Sequence, residues 1–310
     1  MVKNSSKPAL IIHKPKSHFR SFIDKTIGKS AGDKIFNIIN YIIFFILFLI
    51  CLYPFFYVLK TSLEVHEIVD GQKSITKLSF DSYVTIFANA GLLNSFLLSI
   101  GVTLLFAALS VLLTVLSAYP LTRRNLKGRK FFLSLLIFTM LFSGGLIPYY
   151  ILIKDLGLRN NWMVYILVGL LSPFNVIIVR NFITGIPEDI FESAKMDGAS
   201  ETRVLFQIVF PLSGPIIATI ALWTGVSKWN DWYTGILYVT DKNLWMIQQF
   251  LRNILITSSA GQSVQDPSIM TMAESVKMAA VVISIIPIMV VYPFVEKYFV
   301  KGTLLGSVKG

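Results

Sequence analysis

Six long stretches of the chain carry no charged residue or histidine: 36–59, 92–121, 131–153, 162–179, 212–227 and 278–295. Most approach or exceed the roughly 20 apolar residues a helix needs to cross a bilayer. This pattern predicts an all-α, polytopic membrane protein with six transmembrane helices. The third stretch contains Gly144, Gly145 and Pro148, a predicted break whose freed backbone groups need protein or water partners. Pro173 predicts a kink in the fourth. The fifth is short, holds Gly214, Pro215 and Gly225, and is interrupted by Lys228 and Asp231. Between the spans, 60–91 reads as a mixed-charge loop, and 228–277 as a longer connection with its own amphipathic helix around 244–256.

The segment 186–211, IPEDIFESAKMDGASETRVLFQIVFP, is a polar island between two spans. Pro187 suits the first position of a helix, and Glu188 and Asp189 fall in the first turn, where the helix dipole favours negative charge. Ile190, Phe191 and Ala194 share one predicted face. Gly198 can take the left-handed conformation that ends the helix after Met196 and Asp197. Ser200 can cap a second short helix carrying Val204, Leu205 and Ile208 and ending at Pro211. Stubs of two to three turns are unstable alone in water, so they need a surface to lie on.

Composition agrees with the membrane reading: 54% of residues are hydrophobic and 15% charged, too little charge to cover a soluble domain. The net charge of +11 raises nucleic acid as a partner, so its distribution decides. With the N-terminus inside, the inner segments hold about twice the Lys and Arg of outer segments of equal length, as the positive-inside rule requires. Both termini and the 180–211 loop are then cytoplasmic, and no nucleic acid is needed. Residues 1–35, with eight Lys/Arg against Asp24 and Asp33, read as a basic cytoplasmic tail near anionic lipid. Residues 36–295 form the transmembrane domain and 296–310 a second cytoplasmic tail. The first apolar run follows about 35 polar residues and is long enough to span, unlike a signal peptide.

Several chemistries are missing from the sequence. The single cysteine, Cys51, offers no disulfide framework or cysteine metal site, and no catalytic or metal-binding residues are predicted. No H-E-x-x-H, G-x-S-x-G or G-x-x-x-x-G-K-[ST] pattern occurs, so the chain is expected neither to hydrolyse substrates nor to bind ATP. Ion-coupled carriers commonly keep ionisable groups within their spans, and these six runs have none.

The residues Glu192-Ser193-Ala194, then Gly198, then Ile208-Val209-Phe210-Pro211 resemble the "EAA" loop of membrane subunits of binding-protein-dependent ABC importers. Ser193 and Phe210 depart mildly from that pattern. Asp197-Gly198-Ala199-Ser200, the Trp229-Asn230-Asp231 cluster, Tyr298 to Gly302 and the final Val308-Lys309-Gly310 look like the carbohydrate branch, in particular the second permease of maltose-type importers and the permeases of Gram-positive oligo- or polysaccharide importers. The resemblance covers roughly 36–310 and implies a type I importer permease. Its expected partners are a homologous permease, two ATPase subunits that bind the ATP and Mg, and an extracellular solute-binding lipoprotein. It implies that Ile190, Phe191, Glu192, Ala194, Asp197, Gly198 and Ala199 couple to an ATPase groove, with Ile190, Phe191 and Ala194 buried there. It also implies that Ser307, Lys309 and Gly310 reach the ATPase interface. A disordered end is the alternative for that tail. Trp229, Trp232 and Tyr233 fit either a membrane-interface aromatic belt or sugar-stacking groups on the substrate path. Importers of other solutes share the loop, and a carrier or channel working without ATPases is the reading from another class.

Overall fold

The structure is a computed structural model that describes residues 31–69, 73–259 and 274–307. Most of the expected basic tail therefore lies outside the described residues. The chain forms two compact units that divide after Tyr57. In the first, the described part is the body of α1 (Ala31–Leu63), which contains Pro54 and extends the first apolar run at both ends.

The second unit begins with the last turn of α1. Where a loop was expected, a hairpin follows: β1 (Glu64–Val69) pairs antiparallel with β2 (Lys73–Leu78), Glu64 opposite Leu78 and Val69 opposite Lys73. Among the described residues this is the departure from an all-α chain. Next come α2 (Asp81–Ala88) and α3 (Ala90–Ala118), whose cap Asn89 accepts a hydrogen bond from the Leu92 N–H through its side chain. A short 3-10 turn, Pro120–Thr122, closes α3.

The expected break in the third run is present. Gly145 takes φ +87° between α4 (Arg129–Leu141) and α5 (Leu146–Asp155), which bend by 111°. The fourth run departs from expectation. Rather than one kinked helix, it forms α6 (Met163–Leu167) and α7 (Pro173–Thr184). Gly169 adopts φ +75° between them, and the Ser172 side chain caps α7 with Pro173 in its first turn, so the proline starts a helix instead of bending one.

The polar island supplies α8 (Glu188–Met196) and α9 (Glu201–Val204). The chain then passes through a π turn, Leu205–Val209, into α10 (Phe210–Leu212). Pro211 has no N–H to continue the α pattern, and the Phe210 N–H bonds back to the Leu205 carbonyl. The second stub is thus continuous to Leu212, and the chain bends 79° into α11 (Gly214–Trp229). Next are α12 (Tyr233–Tyr238), α13 (Ile247–Ser259), close to the amphipathic helix predicted there, and α14 (Glu274–Ser307), which runs through the predicted boundary with the C-terminal tail.

Among the described residues three helices, Gly32–Leu63, Ala90–Thr122 and Glu274–Pro293, are long and apolar enough to cross a membrane, or up to five if each bent pair is one span. The split fourth run is the one that separates this from six. Helix α3 organises the second unit: α11 packs along it, and α7, α13 and α12's neighbour α6 also touch it. Its buried face carries Ser95, Ser99, Ser110 and Thr114, small polar residues that let helices approach closely. Gly225 of α11 faces Ala107 and Thr103 there; a Cβ at that glycine would lie 3.9 Å from that of Ala107.

Candidate functional site

Among the described residues two places concentrate polar chemistry, an elbow built from α8 and α9 and a cavity beyond α11. At the elbow Pro187 is the N-cap of α8 rather than its first helical residue. At the other end, the Gly198 N–H bonds the Lys195 carbonyl and the Ala199 N–H bonds that of Ala194, with Gly198 at φ +75°. This is the Schellman arrangement that only a left-handed residue permits. One residue on, the Ser200 hydroxyl accepts from the Arg203 N–H at 3.3 Å and starts α9.

The predicted partner-facing trio divides. Phe191 and Ala194 are buried against this chain itself, in one cluster with Val115 and Tyr119, Val179 and Ile183, and Val204 and Val209. Ile190 is 38% exposed. Ile190 lies one turn before Ala194 but about 100° from Phe191, which leaves it at the edge of the inward face with much of its side chain uncovered. The face left open carries Ile190, Glu192 and Lys195, then Met196, 89% exposed, and Asp197 and Gly198. Ala199 is half-buried. Phe191 and Ala194 are therefore anchors, and the groups free to meet a partner are Ile190, Met196 and the two carboxylates.

A charged cluster ties this elbow to the end of α3. The Arg123 guanidinium carbon lies 4.6 Å from the centre of the Tyr119 ring and 4.5 Å from that of Phe191. Arg123 donates to the Tyr119 hydroxyl and, at 3.2 Å, to Glu201 Oε2. Tyr119 donates in turn to Glu201, and Lys195 Nζ lies 3.4 Å from Glu201 Oε1. The Tyr119 hydroxyl, assisted by Arg123 and Lys195, holds the Glu201 carboxyl below its usual range, against a smaller opposing effect of burial. Arg129 and Arg180 both point Nε at the Leu121 carbonyl, at 2.8 and 3.4 Å. In the sequence Arg123 is one basic residue among several after an apolar run, and nothing local to it signals this role.

The cavity, of about 360 Å³, is lined by Phe106, Gly169, Lys228, Asn230, Asp231, Trp232 and Tyr233, among others. The sequence placed Lys228 beyond a span. Here it sits in the last turn of α11 with its side chain 5% exposed, 2.9 Å from Asp231 Oδ2, with Nζ 4.3 Å above the Phe106 ring. The other Asp231 oxygen accepts from the Thr234 N–H at 3.0 Å. The three aromatic residues singled out by sequence separate. Trp229 is buried, donates Nε1–H to the Ser284 carbonyl at 3.0 Å and meets Phe96 edge-on, so it is a packing residue. Trp232 and Tyr233 are exposed at the cavity, with Arg252 stacked 4.5 Å over the Trp232 ring. Ser307 ends α14, whereas Lys309 and Gly310 lie outside the described residues.

Residues 110–304 match the family described as the binding-protein-dependent transport system inner membrane component. The chain is 42% identical over 286 residues to the polygalacturonan/rhamnogalacturonan transport system permease protein YtcP of Bacillus subtilis (strain 168), covering 90% of this chain and 99% of that protein. It is 38% identical to the protein LplC of the same organism, covering 92% and 98%. A chain in the crystal structure of a bacterial ABC transporter involved in the import of the acidic polysaccharide alginate superposes with a TM-score of 0.78 at 29% identity, covering 88% of this chain and 99% of that one.

Proposed function

The chain belongs to the binding-protein-dependent transport system inner membrane components, and from that membership we propose that it is one of two permease subunits of an ATP-driven carbohydrate importer. It is a transporter subunit and not an enzyme; ATP and Mg bind a separate pair of ATPase subunits. The observation that carries the reading is the open face of α8. Phe191 and Ala194 fix the helix to this chain, while Ile190, Glu192, Met196 and Asp197 face outward. An exposed methionine can adapt to an apolar groove, and the carboxylates can meet basic groups on its rim, where excluded water strengthens charge-assisted hydrogen bonds. Closure of the ATPases would displace this helix and bias the spans between two packings.

In this reading the elbow and both termini are cytoplasmic, and the residues that follow α12 help receive a solute-binding lipoprotein from outside. A homologous permease completes the path. The Trp232 and Tyr233 rings at the mouth of the cavity suit stacking on sugar faces, and oligo- or polysaccharides are the cargo class by similarity to the permeases above. Affinity purification of the full chain from its native membrane should bring down an ATPase subunit. Glu192→Lys should abolish oligosaccharide uptake while membrane insertion is unchanged. Undiminished uptake in vesicles lacking any ATPase would reject the reading.

A further inference from the structure

Gly198 gives the elbow a joint, and a lever with a free joint transmits no force. The cluster around Arg123 lies across that joint. On one side the guanidinium stacks 4.5 Å from the Phe191 ring of α8. On the other it reaches Glu201, the first residue of α9, at 3.2 Å. Its backbone follows the 3-10 turn that closes α3, and its second ring contact, Tyr119, belongs to that same turn of chain. Lys195 and Glu201 bridge the joint again at 3.4 Å. A guanidinium can stack on two rings and donate in its plane at once, which a lysine ammonium cannot do.

We propose that Arg123 is a positioning residue that locks the Gly198 joint, so that α8, α9 and the end of α3 move as one body. This rests on the coupling role proposed for α8 and adds the route by which displacement of that helix reaches α3. Without the lock, only the two cap hydrogen bonds and the packing of Phe191 and Ala194 would hold α8 to α9 and α3, and α8 would move with the ATPases further than α3 does, because glycine has the widest backbone freedom of any residue. Nucleotide would then be spent without transport.

The lock is measurable in the full-length chain. In a Cys51→Ser background, spin labels at Asp189 and Thr202, both exposed and on opposite sides of Gly198, report the distance across the joint. The wild-type distribution should be narrow. Arg123→Met should widen it roughly twofold, and Arg123→Lys, which keeps charge but loses the planar stack, should widen it less. Glu201→Gln, a milder change at an exposed side chain, should widen it in the same direction and guards against misfolding of the arginine variants. Equal widths in wild type and all three variants overturn the proposal. In the assembled transporter, Arg123→Met should retain the ATPase subunits and their hydrolysis but lower the sugar moved per ATP by about tenfold, an uncoupling that simple loss of stability does not produce. Unchanged transport per ATP would overturn the lock as a transmitting element. Intact uptake in Glu192→Lys would instead remove the coupling role of α8, leaving the spin-label result to judge the lock alone.

Discussion

The elbow and the cavity treat charge in opposite ways. At the elbow the apolar anchors Phe191 and Ala194 are buried, and the carboxylates of Glu192 and Asp197 stay on the surface. At the cavity the charge itself is withdrawn: buried Lys228 pairs with the partly buried Asp231 at 2.9 Å while Trp232 and Tyr233 are exposed. A surface charge costs little and remains available to a partner. A buried one must be matched within its own chain, because desolvation costs several kcal/mol per ion. The elbow thus has spare charge to offer, whereas Lys228 and Asp231 at the cavity are matched to each other.

The largest effect expected from this contrast is at the cavity. Asp231→Asn leaves the Lys228 ammonium buried without its counter-charge and should cost about 3–5 kcal/mol. Adding Lys228→Met should recover most of that loss, since the charge and its partner then vanish together. Thermal unfolding of the detergent-solubilised chain measures both. If the single substitution left stability unchanged, the pair would be solvated and the contrast would fail.

At the elbow the anchors and the open face should separate. Phe191→Ala removes a buried ring and should cost about 3 kcal/mol. Ile190→Ala, at an exposed position, should stay within about 0.5 kcal/mol and weaken ATPase capture instead. Equal stability losses from the two would mean that the inward and outward faces of α8 are wrongly assigned.

How much of this was legible follows from how local each signal is. Ser200 and Gly198 were readable because a cap and a left-handed residue act within one turn of chain. The face of α8 was not: its apolar positions fit a partner groove as well as its own core, and only α3 and α7 decide between them. The break at Ser172-Pro173 carries a cap followed by a first-turn proline, a helix-start signal that the apolar run around it masked. Asp70-Gly71 is a turn dipeptide, but the flanking stretches Glu64–Val69 and Lys73–Leu78 lack the strict alternation that marks strands, so the segment reads as a mixed-charge loop. Lys228 read as the end of a span because charge and membrane burial conflict. Asp231, three residues later, was the clue that the conflict is resolved in place. The family was legible in the EAA-like loop and holds for the chain.

The smallest effect concerns pH at the elbow. The Glu201 carboxyl titrates below its usual range, so its contribution to the lock is fully present at neutral pH and above the ordinary carboxylate range, and is lost as pH falls through the lowered value. The joint should therefore keep its width from neutral pH downward until the carboxyl protonates, and then widen modestly, since the side chain is more than half exposed. Glu201→Gln should show the widened state already at neutral pH. A width that follows pH equally in wild type and Glu201→Gln would assign the effect to another group.

The central claim is that the open face of α8 meets an ATPase while the cavity does not. A photo-crosslinking residue placed at Met196, 89% exposed, and separately at Tyr233 tests it in the assembled transporter. Met196 should capture the ATPase subunit and Tyr233 should not. Capture of the ATPase from Tyr233, or its absence from Met196 in a complex that transports, would contradict the account.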